Sequence, residues 1–131
     1  MIVGGSGVSV TPSLEELRIY IGTVGTPITT GLSAETYAAT FRGVIKGWKV
    51  TGYPQGSIVV DLLKKFETAP SALDSITGSE PPSLTNARYN SNMDITTWTD
   101  IHVSPGDVLG LNISSATTVE NVVVSLQIMQ A

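Results

Sequence analysis

Residues 56–64 read Gly-Ser-Ile-Val-Val-Asp-Leu-Leu-Lys, and this stretch decides the fold. Ile58, Val60 and Leu62 alternate with Val59, Asp61 and Leu63. Both faces are therefore apolar apart from one aspartate, the signature of a central strand with packing on either side. The same period of two recurs outward from it. Leu17, Ile19 and Ile21 alternate with Arg18 and Tyr20. Tyr37, Ala39 and Phe41 alternate with Ala38 and Thr40, and Val44–Val50 carries Trp48 among Lys46 and Lys49. Toward the end, Val108–Ile113 and Val119–Met129 are β-branched runs, with Val122, Val124, Leu126 and Ile128 sharing one face. A shorter run, Ile28–Gly31, reads as a further strand after the turn at Gly25–Thr26–Pro27.

Turn chemistry separates these runs. Tyr53–Pro54–Gln55–Gly56 places Pro and Gly where a reverse turn uses them, and Ser104–Pro105–Gly106–Asp107 has the order of a type II turn. Strands at such spacing predict an all-β fold, an antiparallel β-sandwich, jelly-roll-like, with little helix. Single helical turns are expected at Ser13–Glu16, a capping-box pattern, and at Ser71–Asp74. Residues 67–92, rich in Ser, Pro, Thr and Asn, read as one long loop, either functional or an ordered cover over a sandwich edge. The chain divides into a Gly-rich arm (1–12), whose start Met1–Gly7 is a candidate docking element, and a single domain (13–131).

The bulk composition supports one folded domain. The 131 residues are 41% hydrophobic and 14% charged, against about 25% charged in ordinary domains. So much neutral polar surface suits extracellular particles and chain–chain interfaces, whose centres are depleted of charge. A net charge of −4 argues against nucleic acid, which needs a basic patch. The Lys64–Lys65 doublet reads as a solvated strand end. Without cysteine there is no disulfide or thiolate metal site, and no stretch approaches the roughly 20 apolar residues of a membrane span.

Catalytic constellations are lacking, so no enzyme, metal or cofactor is expected. His102, the one histidine, follows Asp100 by two residues, but no nucleophile motif accompanies the pair. It reads as a surface histidine. One His and scattered acids cannot make a zinc site, and pairing Asp61 with Asp107 as glycosidase carboxylates has no specificity. The Asn112–Ile113–Ser114 sequon falls within a strand and reads as structural. Aromatic side chains are the better binding candidates, since Trp and Tyr offer flat apolar platforms with a polar handle. Tyr53, Tyr89 with its neighbour Asn90, and Trp98 at the end of the long loop are the candidate contact residues. Core packing is the competing role for Trp98, and the expected one for Trp48.

Several stretches occur together in order: "TPITTGL" (26–32), "IKGW" (45–48), "GSIVVDLLK" (56–64), "DSITGSEPPSLTNA" (74–87) and "TTWTDIHVSPGDVLGLNISSATTVENVVVSLQI" (96–128). Over residues 17–128 the chain thereby resembles a β-sandwich domain that recurs in tail-fibre, baseplate and other structural proteins of tailed phages. Lys64–Lys65–Phe66–Glu67 departs from that pattern, standing where the family has a longer aromatic-rich stretch. The resemblance implies structural roles for Gly56, Asp61, Trp98, Gly106, Asp107 and Leu109. It also implies a homotrimer, other virion proteins as partners and a place on the virion. Within it, attachment to a host-surface glycan competes with a purely structural decoration, collar or baseplate role. A bacterial carbohydrate-binding module is the third reading.

Overall fold

One strand organises the molecule. In the computed structural model, which describes residues 13–130, β3 (Gly43–Phe66) runs unbroken for 24 residues. Around it lie β1 (Leu14–Gly22), β2 (Gly31–Ala38), β4 (Ser83–Asn92), β5 (His102–Val103), β6 (Asp107–Thr117) and β7 (Asn121–Gln130). All pairings are antiparallel, in the order β1-β7-β3-β6-β2, with β4 and β5 also paired to β3. Among the described residues there is no helix. The fold is the all-β, antiparallel, sandwich-like one that the alternation predicts. The Gly-rich arm, 1–12, lies outside the described residues.

The two halves of β3 have different partners. Gly43–Tyr53 pairs with β7, and Ser57–Phe66 with β6. The strand thus crosses from one layer to the other at Pro54–Gln55, where a reverse turn is expected from the sequence. A proline tolerates that place because the ladder is interrupted there and needs no N–H; the Tyr53–Pro54 peptide is cis. The β6–β7 connection sits against the bend, with the Glu120 amide donating to the Tyr53 carbonyl (2.8 Å). Gly56 lets the chains close in: a Cβ there would lie 2.4 Å from the Thr117 carbonyl oxygen. Strands that switch sheets by such bends make the corners of sandwiches.

Alternation fills the core. Ile19 and Ile21 of β1, Ile58, Val60 and Leu62 of β3, Leu109, Leu111 and Ile113 of β6, and Val122, Val124, Leu126 and Ile128 of β7 are buried together with Trp48. Truncating Trp48 to Ala at such a place costs about 3–5 kcal/mol.

Four local expectations are corrected. Ser13–Glu16 is not helical: β1 begins at Leu14, because pairing with β7 from Leu14↔Met129 onward outweighs a single capping box. Residues 28–30 lie outside any strand; β2 starts at Gly31, whose φ of 124° suits glycine, and stops before Ala39. The 67–92 segment is not all loop, since β4 occupies its last ten residues. As an edge strand it buries one side chain fully, Leu84, so it shows no apolar alternation. The preceding part runs along the free edge of β3, with Lys64 N–H to Asp74 O, Ile76 N–H to Leu62 O and Val60 N–H to Pro82 O. That is the ordered edge cover. Finally, Lys64 is not a solvated strand end: its side chain is only 12% exposed and sits between Asp100 and Asp107.

Candidate functional site

Strand register brings two tyrosines to one open face. Tyr20 of β1 pairs with Val123 of β7, Val123 with Thr51 of β3, and Thr51 with Tyr89 of β4. Direct partners share a face, so this row spans four strands, with its ends about 14 Å apart at the usual strand spacing. The neighbouring row is Arg18, Ser125, Lys49 and Ser91. Except for Ser91, and with Glu16 added, these residues line a shallow groove of about 350 Å³, walled by Tyr20 and Tyr89 and floored by Val123, Thr51 and Ser125. Both tyrosines are more than half exposed, at 61% and 56%. Two aromatic walls over a small, partly apolar floor suit a flat ring with polar edges.

Charge in the groove is mixed. Glu16 accepts hydrogen bonds from Gln127 Nε2 (3.1 Å) and Arg18 Nε (2.6 Å). Those two bonds, Gln127 first, hold its carboxyl below the ordinary range. Lys49 adds a positive charge to the groove wall.

The candidate residues separate in space. Tyr89 stands at the groove. Tyr53 is about half exposed on the same strand as Thr51, two residues on, and its ring carries the Arg88 guanidinium 5.1 Å from the centroid, a cation–π contact. Arg88 also donates to the Gly52 carbonyl (3.2 Å). Asn90 faces a different recess, beside Trp48, Glu80 and Asn92. Trp98 is buried, with 7% exposure, and its indole N–H donates to the Glu80 carbonyl (2.8 Å). It anchors the edge cover. Trp48 is core. Tyr20 is the groove aromatic missing from the sequence-derived candidates. Its signal was present: with Ile19 and Ile21 inward, Tyr20 must point out.

The remaining motif residues act as joints. Asp61 accepts hydroxyl hydrogen bonds from Ser75 (2.6 Å) and from Thr77, tying the edge cover to β3. Gly106 has φ 96°, and a Cβ there would meet the Phe66 ring at 2.6 Å. Asp107 is buried and accepts from the Ser104 amide (2.8 Å), closing the turn. Leu109 is wholly buried. His102 is exposed, its Nδ1 4.0 Å from Asp100. Among the described residues no three His, Asp or Glu side chains gather as a metal ion requires.

No family model matches the chain, and no curated protein matches it. Among solved structures, a chain of the cyanophage Pam1 capsid asymmetric unit is similar at 10% identity and a TM-score of 0.37, over 100% of this chain and 94% of that one. A likeness of that degree carries no weight for function.

Proposed function

We propose that this chain is a tailed-phage virion protein that attaches the particle to a host-surface glycan through the groove between Tyr20 and Tyr89. The paired exposed tyrosines carry this reading. They are large, they are held apart by strand register, and the core does not need them. Carbohydrate rings stack their C–H faces on such aromatics while nearby polar groups meet the hydroxyls. The resemblance of the ordered motifs along residues 17–128 to virion-protein domains supports the virion part of this reading. A homotrimer, expected on the same ground, would multiply a weak site into useful avidity.

The test is binding of the intact chain to host cells and to an array of bacterial surface glycans. Tyr20→Ala and Tyr89→Ala should each reduce binding at least tenfold with little change in melting temperature, since exposed side chains contribute little to folding. Undiminished binding by both variants rejects the groove.

A specific observation favours a structural docking role as the second reading. Leu73 is 95% exposed at the tip of a fixed turn, in which the Ser71 amide donates to Asp74 (2.7 Å) and the Asp74 amide to the Ser71 carbonyl (3.0 Å). A leucine held at the tip of a hydrogen-bonded turn suits insertion into another virion protein. Leu73→Asp should then block incorporation into particles and leave glycan binding intact.

A further inference from the structure

On the other side of β4 from the groove, the chain forms a cleft of about 430 Å³ at the open edge of the sandwich. Trp48 forms part of its floor, and Glu80, Ser83, Asn90, Ser91 and Asn92 surround it. The two tryptophans differ in one respect. Trp98 donates its indole N–H to the Glu80 carbonyl. Trp48, only 3% exposed, has an indole N–H with no hydrogen-bond partner among the described residues. A buried indole N–H ordinarily finds an acceptor.

The Glu80 carboxylate at the cleft is fixed in place. The Thr97 amide and hydroxyl each donate 2.8 Å to one Glu80 carboxylate oxygen, so the carboxylate is positioned before any ligand arrives. Asn90 is braced likewise, its amide nitrogen donating to the Ser83 carbonyl (3.0 Å) and its oxygen accepting from Ser91 N–H (2.9 Å).

We propose that this cleft is a second ligand site, taking one neutral hexose or N-acetylhexosamine unit whose hydroxyls bond Glu80 and the serine and asparagine groups of β4, with the Trp48 indole forming part of the floor beneath it. The chemistry selects the class. The lining holds one carboxylate and no base, which disfavours anions. Hydroxyls that both donate and accept match a rim of carboxylate, hydroxyl and amide groups. Val59 and Pro81 supply apolar contact for the ring. The proposal rests on the glycan reading above for the ligand's class. It adds that one chain could engage both sides of β4, with Tyr89 in the groove and Asn90 in the cleft.

Two-dimensional ¹H–¹⁵N spectra of the full chain resolve the two indole N–H signals, assigned with Trp48→Phe. The probes are glucose, galactose, mannose, rhamnose, N-acetylglucosamine, N-acetylgalactosamine and, as an anion, glucuronate. At least one neutral sugar should shift the Trp48 signal saturably while the Trp98 signal moves far less. Glucuronate should bind at least fivefold more weakly. Asn90→Ala should weaken the neutral sugar's effect on the Trp48 signal at least fivefold. A Trp48 signal that no neutral sugar moves, showing exchange with internal water alone, overturns the site. The groove reading then stands or falls separately on the tyrosine variants, whose loss of glycan binding does not depend on this signal.

Discussion

Lys64 and Asp100 meet at 2.6 Å, and the same lysine nitrogen donates 2.6 Å to the His102 carbonyl and lies 3.5 Å from Asp107. One ammonium thus ties the end of β3 to β5 and to the Ser104–Asp107 turn. With the Lys64 side chain 12% and the Asp107 side chain 10% exposed, solvent screens that pair poorly. The outer pair with Asp100, whose side chain is 40% exposed, is screened more and counts for less.

Lys64→Met keeps the aliphatic stem and removes the charge, stranding a buried carboxylate at Asp107. We expect a loss of about 2–3 kcal/mol, the scale of an uncompensated, partly buried group. Lys65→Met, next door but exposed, should change stability by less than about 0.5 kcal/mol. Urea denaturation of the two variants separates them; equal midpoints would mean that the ammonium contributes nothing net.

Acid should weaken the fold through the same elements. Burial pushes the Asp100 carboxyl up, but hydrogen bonds from Lys64 and the His102 amide, with the Lys64 charge, outweigh it and hold the group below its ordinary value. The Thr97 amide and then its hydroxyl lower Glu80, and the Ser71 amide lowers Asp74. A carboxyl that titrates lower when folded takes up its proton first in the unfolded chain. Its contribution is therefore complete above the unfolded value, about 4, and is lost as pH falls through the folded one. The melting temperature should be flat from pH 7 to 5 and fall below about pH 4. Glu80→Gln should make that fall shallower, while an unaltered acid limb would remove Glu80 from the set.

The sequence shows its architecture wherever one face is buried, and loses it where none is. Ile58, Val60 and Leu62 could be read as a strand because the core buries the face they share. β4 could not, because its polar residues are held by backbone pairing that leaves no pattern in side-chain type. Pro54 and Gly56 misled for a related reason. Their chemistry marks a break in the ladder, and a break serves a corner between two layers as well as a hairpin. The groove was half legible: Tyr89 drew notice beside Asn90, but only the register linking Tyr20, Val123, Thr51 and Tyr89 puts two tyrosines on one face. No local pattern reports a four-strand row. Trp98 was legible as an aromatic, yet it packs in the core and its N–H partner is the Glu80 carbonyl, 18 residues earlier.

Asp61 offers the sharpest test of how the edge cover is held. The carboxylate takes hydroxyls from Ser75 and Thr77, within the segment that β3 also holds by backbone bonds at Asp74, Ile76 and Pro82. Charge-assisted bonds of this kind are worth more than neutral ones. Asp61→Ala should cost about 1–3 kcal/mol, and Asp61→Asn, which keeps an acceptor, clearly less. The local signature matters more than the total. If Asp61 is the clasp, limited proteolysis of the alanine variant should cut first between residues 67 and 82, at conditions where the rest of the sheet survives. A variant that loses stability with no early cut there would show that the ladder bonds alone keep the cover docked, and that Asp61 stabilises the sheet as a whole.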